Sequence, residues 1–116
     1  MVSLSTRLPR VVTGRSSRDV LVTLMPPQPG ADGGWFCSYR IDWPEMPRHS
    51  EIWGADSVQA LYLTLERIGL ELYNSPHHEA GELVWDHPGK GYGFPLPENI
   101  RHLAVGADRH IGGRSV

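Results

Sequence analysis

The chain has 116 residues, a formal net charge of −2 and a single cysteine, Cys37. This length accommodates one domain with one core, but not two independently stable domains of the usual size. Apolar residues make up 40% of the chain and charged residues 21%, a balance that excludes general disorder, and one cysteine excludes an intramolecular disulfide.

Membranes and nucleic acids are not expected partners. No run of about 18 apolar residues is available to cross a bilayer, and residues 1–10 lack the apolar centre of a secretory signal. Basic side chains are scattered among acidic ones. Basic residues are in local excess near the N-terminus, and we interpret this excess as a solvated strand edge rather than a phosphate-binding stripe. The residues concerned are Arg7, Arg10, Arg15 and Arg18. We therefore expect a cytoplasmic location.

The first part of the chain is expected to form strands. Thirteen glycines and ten prolines favour strands joined by turns over a helical bundle. A strand around residues 4–13 is restricted to a sheet edge by Pro9. Residues 19–25 are β-branched and apolar and predict a second strand, and residues 26–34, rich in Pro and Gly, predict a loop.

Residues 35–43 alternate between apolar and more polar side chains, which predicts a strand with one buried face. The side chains expected on that face are Trp35, Cys37, Tyr39, Ile41 and Trp43. A turn over residues 44–47 leads to a short strand over residues 49–53 that ends at Gly54. These strands are predicted to form an antiparallel meander.

A helix is predicted to begin after Gly54. Asp56 suits the N-cap position, and Gln59, three residues later, completes a capping box. Apolar residues then recur at three- and four-residue intervals and predict one buried helix face, at which Ala60 allows close approach. The face is formed by Val58, Leu61, Leu65, Ile68 and Leu72. The sequence Asn-Ser-Pro at residues 74–76 ends the helix.

One more strand is predicted after the helix. A loop over residues 76–81 leads to residues 82–86, which alternate so that Leu83 and Trp85 share one face.

The predicted fold class is α+β: an antiparallel sheet of about four or five strands, made from a β-meander and a strand after the helix, packed against one amphipathic helix. Residues 1–97 form this single domain. Its coil over residues 87–97 places Phe94 and Leu96 as a plug at one end of the core. Residues 98–116 form a C-terminal extension that we expect to be partly mobile.

Four short motifs carry a resemblance to a known family. They are Trp35-x-Cys37-x-Tyr39-x-Ile41, Gly54-Ala55-Asp56-Ser57-Val58-Gln59-Ala60-Leu61, Leu83-x-Trp85 and Gly93-Phe94-Pro95. Over about residues 8–97 the chain resembles a family of small bacterial proteins that is catalogued as a domain of unknown function. The helix start, Asp-Ser-x-Gln-Ala-Leu, is the most specific of these motifs.

This resemblance implies a bacterial sheet-plus-helix domain, often a stand-alone chain, with no catalytic residue to transfer. In size and style the chain is also similar to immunity proteins encoded beside secreted toxins. The segment His77-His78-Glu79 and the tail after Glu98 depart from the family pattern.

Loop histidines are the candidates for a metal site. Imidazole and carboxylate groups are common metal ligands, and those that flank the strand over residues 82–86 are His77, His78, Glu79, Asp86 and His87. Adjacent histidines project differently, and neither two histidines at helical spacing nor a paired-cysteine motif is present. The sequence therefore favours solvent-exposed loop histidines, and no cofactor is expected.

No catalytic or cofactor-binding signature is recognised. Cys37 alternates onto the buried face of its strand, where a thiol is a small hydrophobe rather than a nucleophile. Asp56 has the chemistry of a general base, but its place before Ser-Val-Gln explains it as a helix cap. The sequence Gly89-Lys90-Gly91-x-Gly93 lacks the helix and the Ser or Thr of a phosphate-binding loop and predicts a turn.

Two tryptophans and three polar residues around one turn are candidates for a protein interface: Trp43, Arg48, His49, Glu51 and Trp53. Aromatic anchors with a polar rim are typical of interfaces. Burial of both tryptophans in a small core explains them equally well.

The preferred hypothesis is a non-enzymatic protein-binding module that forms a homodimer through an exposed strand edge or binds a partner such as a toxin. Apolar periodicity accounts for the family motifs and leaves no polar cluster to run a reaction. Two alternatives stay open. One is a small metal-dependent hydrolase that uses the loop histidines with Asp86. The other is a small-ligand-binding module with a pocket beneath residues 89–97, lined by Trp85, Tyr92 and Phe94.

Overall fold

A computed structural model describes residues 5–7, 9–13, 16–84, 91–106 and 108 of the chain. In chain order the elements are β1 (Ser5–Arg7), β2 (Arg10–Thr13), β3 (Ser16–Asp19), β4 (Leu21–Leu24), β5 (Gln28–Pro29), β6 (Trp35–Asp42), β7 (Pro47–Gly54), α1 (Ser57–Tyr73), α2 (Pro76–Glu79), β8 (Leu83–Val84) and the 3₁₀ helix η1 (Glu98–Leu103). The described strands form a five-stranded and a three-stranded sheet, both antiparallel. The predicted α+β class with an antiparallel sheet is confirmed.

The chain divides into two compact units. The first comprises Met1–Leu8 and Val20–Thr64, and the second comprises Pro9–Asp19 and Leu65–Val116. Helix α1 therefore supplies its first half to one unit and its second half to the other. The expected domain boundary after Pro97 stays a prediction.

Strand β6 is the central strand of the first unit. It pairs along its whole length with β7 on one side, and with β4 and β5 on the other. The predicted alternation is confirmed for Cys37, Tyr39 and Ile41, which are buried. Trp35 and Trp43, expected on the same face, are half-buried. This face of β6 supplies the centre of the first unit's core.

The predicted loop over residues 26–34 contains a two-residue strand, β5, which the sequence pattern does not reveal. The Gly30 N–H donates to the Gly34 carbonyl oxygen at 2.6 Å and closes a tight turn. That turn brings Gln28 and Pro29 back beside the start of β6, where they pair with Phe36 and Trp35.

Helix α1 begins as predicted. The Gln59 N–H donates to Asp56 Oδ1 at 2.8 Å, and the Ala55 N–H donates to Gln59 Oε1 at 2.6 Å. The Gln59 side chain thus accepts from the residue before the cap rather than from Asp56 itself, a one-residue variant of the capping box. Asp56 is confirmed as the helix cap.

The predicted buried face of α1 is confirmed at Ile68 and Leu72 and differs nearer the start of the helix. Val58, expected to be buried, is 75% exposed, and Leu61 and Leu65 are half-buried. The fully buried side chains recur every four residues and are Ala60, Thr64, Ile68 and Leu72. In the first unit the cause is Gly54, because a Cβ there would lie 2.6 Å from the Ala60 nitrogen. The end of β7 therefore contacts the helix at Ala60, whose side chain is small.

Pro9 divides the predicted N-terminal strand in two. Strand β1 pairs with β4 in the first unit, whereas β2 pairs with β3 and β8 in the second. Proline lacks an N–H and has a fixed φ, so it interrupts the ladder. The prediction of one edge strand is wrong, because β2 is the middle strand of its sheet and lies between β3 and β8.

The segment after α1 is helical where a loop was expected over residues 76–81. Helix α2 begins at Pro76, and Ser75 is its N-cap because Ser75 Oγ accepts the His78 N–H at 3.1 Å. Strand β8 lies within the strand predicted over residues 82–86. Trp85 and Asp86 lie outside the described residues.

Phe94 and Leu96 are confirmed as buried residues of the second unit. They pass against Gly69 of α1, where a Cβ would collide with the Pro95 carbonyl oxygen and lie 3.3 Å from Phe94. Helix η1 follows, in the stretch expected to begin the C-terminal extension. None of the helices in the described part of the chain has both the length and the apolar character needed to cross a membrane.

Candidate functional site

Strand β7 is an edge strand of the five-stranded sheet. Among the described residues it pairs with β6 alone, and most of its eight residues are exposed. An edge strand presents a row of backbone donors and acceptors to solvent or to another chain. The first candidate site is therefore the outer edge of β7.

The hydrogen bonds of β6 show which residues of β7 direct their backbone groups to this outer edge. The Met25 N–H donates to the Ser38 carbonyl oxygen at 3.0 Å, so the backbone groups of Ser38 point toward β4. Directions alternate along an antiparallel strand, so those of Tyr39 point toward β7. Ser50 lies opposite Tyr39 and points its own groups back toward β6.

The neighbours of Ser50 consequently point the other way. His49, Glu51 and Trp53 direct their backbone N–H and C=O groups away from β6, toward the outer edge. Pro47 has the same direction but has no N–H to offer. The edge thus carries donors at three positions and an acceptor alone at the fourth.

Trp53 is the large apolar side chain of this edge strand. Its ring lies 5.0 Å from that of Phe36, measured between ring centroids, and tilts across it. A Cβ on Gly30 would lie 2.5 Å from the same indole, so the ring rests directly on the glycine backbone. Half of the Trp53 surface is nevertheless exposed. It is an aromatic group held in place on one side and open on the other.

The structure brings together three of the five interface candidates. His49, Glu51 and Trp53 share one face of the sheet, opposite Arg40, Ser38 and Phe36 of β6 in the strand register. Arg48 lies opposite Ile41 and so belongs to the other face, although it too is exposed. Trp43 follows the end of β6 and is half-buried. The interface role of all five stays a prediction.

A buried polar cluster in the second unit is the other candidate. Asp108, 1% exposed, accepts three hydrogen bonds at 2.8 Å. The Tyr73 hydroxyl and the Tyr92 N–H donate to Oδ2, and the Gly93 N–H donates to Oδ1. The Tyr73 hydroxyl oxygen in turn accepts the Val105 N–H at 3.0 Å.

Two glycines shape the loop around this carboxylate. Gly91 and Gly93 have φ values of +88° and +82°, a region that side chains with a Cβ rarely adopt. A Cβ on Gly91 would lie 2.5 Å from the Asp108 carboxyl carbon. The loop therefore folds closely around the carboxylate and turns its backbone donors inward.

Aromatic rings close the other side of the cluster. Tyr73, His78 and Tyr92 lie with centroids 4.7 to 5.5 Å apart in tilted and edge-on arrangements. His78 Nδ1 and the Tyr92 hydroxyl form a hydrogen bond. Burial raises the pKa of Tyr73 and raises that of Tyr92 to about 12, with the Asp108 charge adding to both. Burial lowers the pKa of His78. The polar atoms of the cluster are engaged with one another, which suits a structural lock.

The candidate metal ligands are only partly within the described residues. His77 and His78 are half-buried on α2, so their expected exposure on a loop is wrong. His77 Nδ1 lies 3.4 Å from Glu82 Oε1, and His78 Nδ1 bonds to Tyr92. Asp86 and His87 lie outside the described residues. Within the described part, no three His, Cys, Asp or Glu side chains form a group that could hold a metal ion.

Cys37 is a core residue, as predicted. Its thiol is buried and donates to the Met25 carbonyl oxygen at 3.0 Å, and the Thr64 side chain of α1 contacts it. Burial raises the pKa of the thiol, which disfavours the thiolate that a nucleophile needs.

Asp108 is the residue that the sequence pattern missed. It lies in the stretch expected to be an extension and has no motif around it. The available signal was the pair of glycines that flank Tyr92, since two closely spaced glycines often line an anion with backbone donors.

Comparison with known proteins gives the family and nothing finer. A family model for a domain of unknown function, DUF6968, matches residues 6–96. No match was found among curated proteins or among solved structures. The matched segment covers most of the chain. It includes β7, α1 and the loop whose Tyr92 and Gly93 N–H groups donate to Asp108. The expected membership of a family of unknown function is confirmed: this chain belongs to the DUF6968 family.

Proposed function

We propose that this domain is a non-enzymatic protein-binding module that accepts a strand of another protein chain along the outer edge of β7. The observation that supports it is the alternation at this edge, where His49, Glu51 and Trp53 direct backbone donors and acceptors away from β6. An added strand satisfies such groups, and its backbone hydrogen bonds supply affinity.

The length of β7 favours this use. Natural sheets protect their edges with short strands, and β1, at the far edge of the same sheet, has three residues. Strand β7 has eight residues and pairs along all of them with β6. One side of its backbone is thus already paired along the whole strand, and the other side is the proposed binding edge.

Trp53 supplies the side-chain component. Tryptophan is enriched among the residues that contribute most to binding energy, especially where its ring is already fixed before the partner arrives. Trp53 meets that condition, because Phe36 and Gly30 hold one side of its ring. His49 and Glu51 lie on the same face and provide a polar rim.

The test removes one outward donor without disturbing the sheet. Glu51→Pro deletes the N–H at an edge position that β6 does not use, a substitution that edge strands tolerate. Glu51→Gln keeps the N–H and removes only the charge. We expect wild type and Glu51→Gln to form a complex, with a second copy or with a protein of the native host, and Glu51→Pro to lose it. Size-exclusion chromatography with light scattering and co-purification are the readouts.

Ser50→Pro is the matched folding control. It deletes an N–H that β6 uses, so it should lower the thermal unfolding midpoint more than Glu51→Pro does. A wild-type protein that stays monomeric and captures nothing, or a complex indifferent to Glu51→Pro, would overturn the proposal.

A further inference from the structure

We infer that the chain added to β7 is a second copy of this one, placed antiparallel about a two-fold axis midway between the two copies of Ser50. This inference rests on the proposed function and names its partner. It follows from the directions of the backbone groups together with the charges along the edge.

Backbone direction limits the possible registers. A two-fold axis perpendicular to the sheet keeps the same face of both copies on the same side, so residues that share a face lie opposite each other. The axis is therefore midway between the two copies of a single residue, rather than level with the bond between two residues. An axis between residues would set outward-pointing groups of one copy against inward-pointing groups of the other, and no ladder would form. Near the middle of β7, the axis therefore lies at His49, Ser50 or Glu51.

The side-chain pairs that each register brings together distinguish these three positions of the axis. With the axis at Ser50, the His49 imidazole lies beside the Glu51 carboxylate of the other copy, and a ring N–H can donate to it in either protonation state. With the axis at Glu51, two carboxylates lie directly opposite, which is destabilising. With the axis at His49, two imidazoles meet and the overlap stops at Glu51, well short of the end of β7.

The same register satisfies the backbone. His49 and Glu51 both point outward and would exchange both of their backbone hydrogen bonds across the axis. Trp53 would donate its N–H to the carbonyl oxygen of Pro47, the position that has an acceptor but no donor. The indole of Trp53 would lie next to the pyrrolidine ring of Pro47 on the outer face, an apolar contact.

Disulfide formation by single-cysteine variants tests the pairing register of the two β7 strands directly. Ser50 points its backbone toward β6, so the two copies of Ser50 would form a non-hydrogen-bonded pair, with Cα atoms about 4.5 Å apart and within the range of a disulfide. Under mild oxidation we expect Ser50→Cys to form a covalent dimer on a non-reducing gel, and Glu51→Cys and His49→Cys to stay uncoupled. Wild type is the control for Cys37, which is buried.

A charge swap gives an independent measurement that needs no oxidation. His49→Glu and Glu51→His each place like groups opposite one another and should raise the dimer dissociation constant by about 2- to 30-fold. The double variant His49→Glu, Glu51→His restores the unlike pair and should recover wild-type affinity. Thermal unfolding of each variant verifies the fold.

The outcomes separate this inference from the proposed function. Faster coupling of Glu51→Cys or His49→Cys, or a double variant no tighter than the singles, would overturn the Ser50 register. A monomer that still forms an edge-dependent complex with another protein would overturn the second copy as partner while leaving the proposed function standing. A monomer that binds nothing would overturn both.

Discussion

The Tyr73 hydroxyl donates a hydrogen bond of 2.8 Å to the Asp108 carboxylate across 35 residues of sequence, and both groups are buried. Tyr73 is the last residue of α1, and Asp108 follows η1. The bond therefore fixes the segment after η1 to the end of the main helix, within the second unit.

Tyr73→Phe should lower the free energy of unfolding by about 1–3 kcal/mol, because the buried carboxylate loses a donor and the Val105 N–H loses its acceptor. Urea unfolding measures the loss. Asp19→Ala, on exposed strand β3, is the control and should stay within about 0.5 kcal/mol of wild type. Tyr73→Phe and Asp108→Ala should also be non-additive in combination. Additive losses, or a loss as small as the control's, would argue against the lock.

Alkaline pH should destabilise the fold through the buried tyrosines. Burial raises the pKa of Tyr92 to about 12, above its value of about 10 in an unfolded chain. The neutral phenol therefore contributes stability that is fully present below about pH 10 and is lost as the pH rises through about 12. Unfolding free energy measured across this range should fall for wild type and fall less steeply for Tyr92→Phe. Equal slopes in the two proteins would contradict the expectation.

Gly69→Ala should destabilise the protein, against the usual trend for helices. Alanine in a helix interior is ordinarily better than glycine by about 0.8–1.0 kcal/mol. Here a Cβ would collide with the Pro95 carbonyl oxygen, a backbone atom with little freedom to move. Thermal unfolding gives the sign directly, and a raised midpoint would show that the loop over residues 94–96 yields to the added methyl group.

Ile68→Ala and Val58→Ala should differ sharply, although both positions belong to the apolar stripe expected from the sequence. Ile68 is fully buried, so its truncation should cost about 2–5 kcal/mol. Val58 is 75% exposed, so its truncation should be neutral or slightly stabilising, since alanine has the higher helix propensity. Chemical denaturation of both variants tests which face of α1 is buried. Similar losses of unfolding free energy in the two variants would contradict the burial described here.

Local interactions made much of the fold predictable. The Asp56 cap depends on groups within four residues of it, and the alternation around Cys37 depends on one strand and the face it buries. Such features follow from the period of the sequence and the chemistry of single side chains. The position of β6, the start of α1 and the fold class follow in the same way.

Contacts between different elements were not predictable in this way. Which face of α1 is buried at its start depends on the contact of Gly54 with Ala60, where the chain passes from β7 into the helix. The period of the apolar residues does not reveal this contact. Asp108 has a role only once Tyr73 and the loop at Gly93 are brought to it. Side chains around the turn before β7 were expected to carry an interface, but the side on which each backbone group of β7 lies depends on the hydrogen bonds of β6.

Pro47 gives the outer edge of β7 a defined end. A long, flat edge strand is ordinarily an aggregation hazard, since each arriving chain can template the next. Pro47 is the first residue of β7 and has no N–H to donate to a neighbouring strand, so a ladder along this edge does not extend beyond Pro47 into the preceding turn. In the proposed dimer, the new ladder would therefore run from Pro47 to Trp53 of each copy and end there.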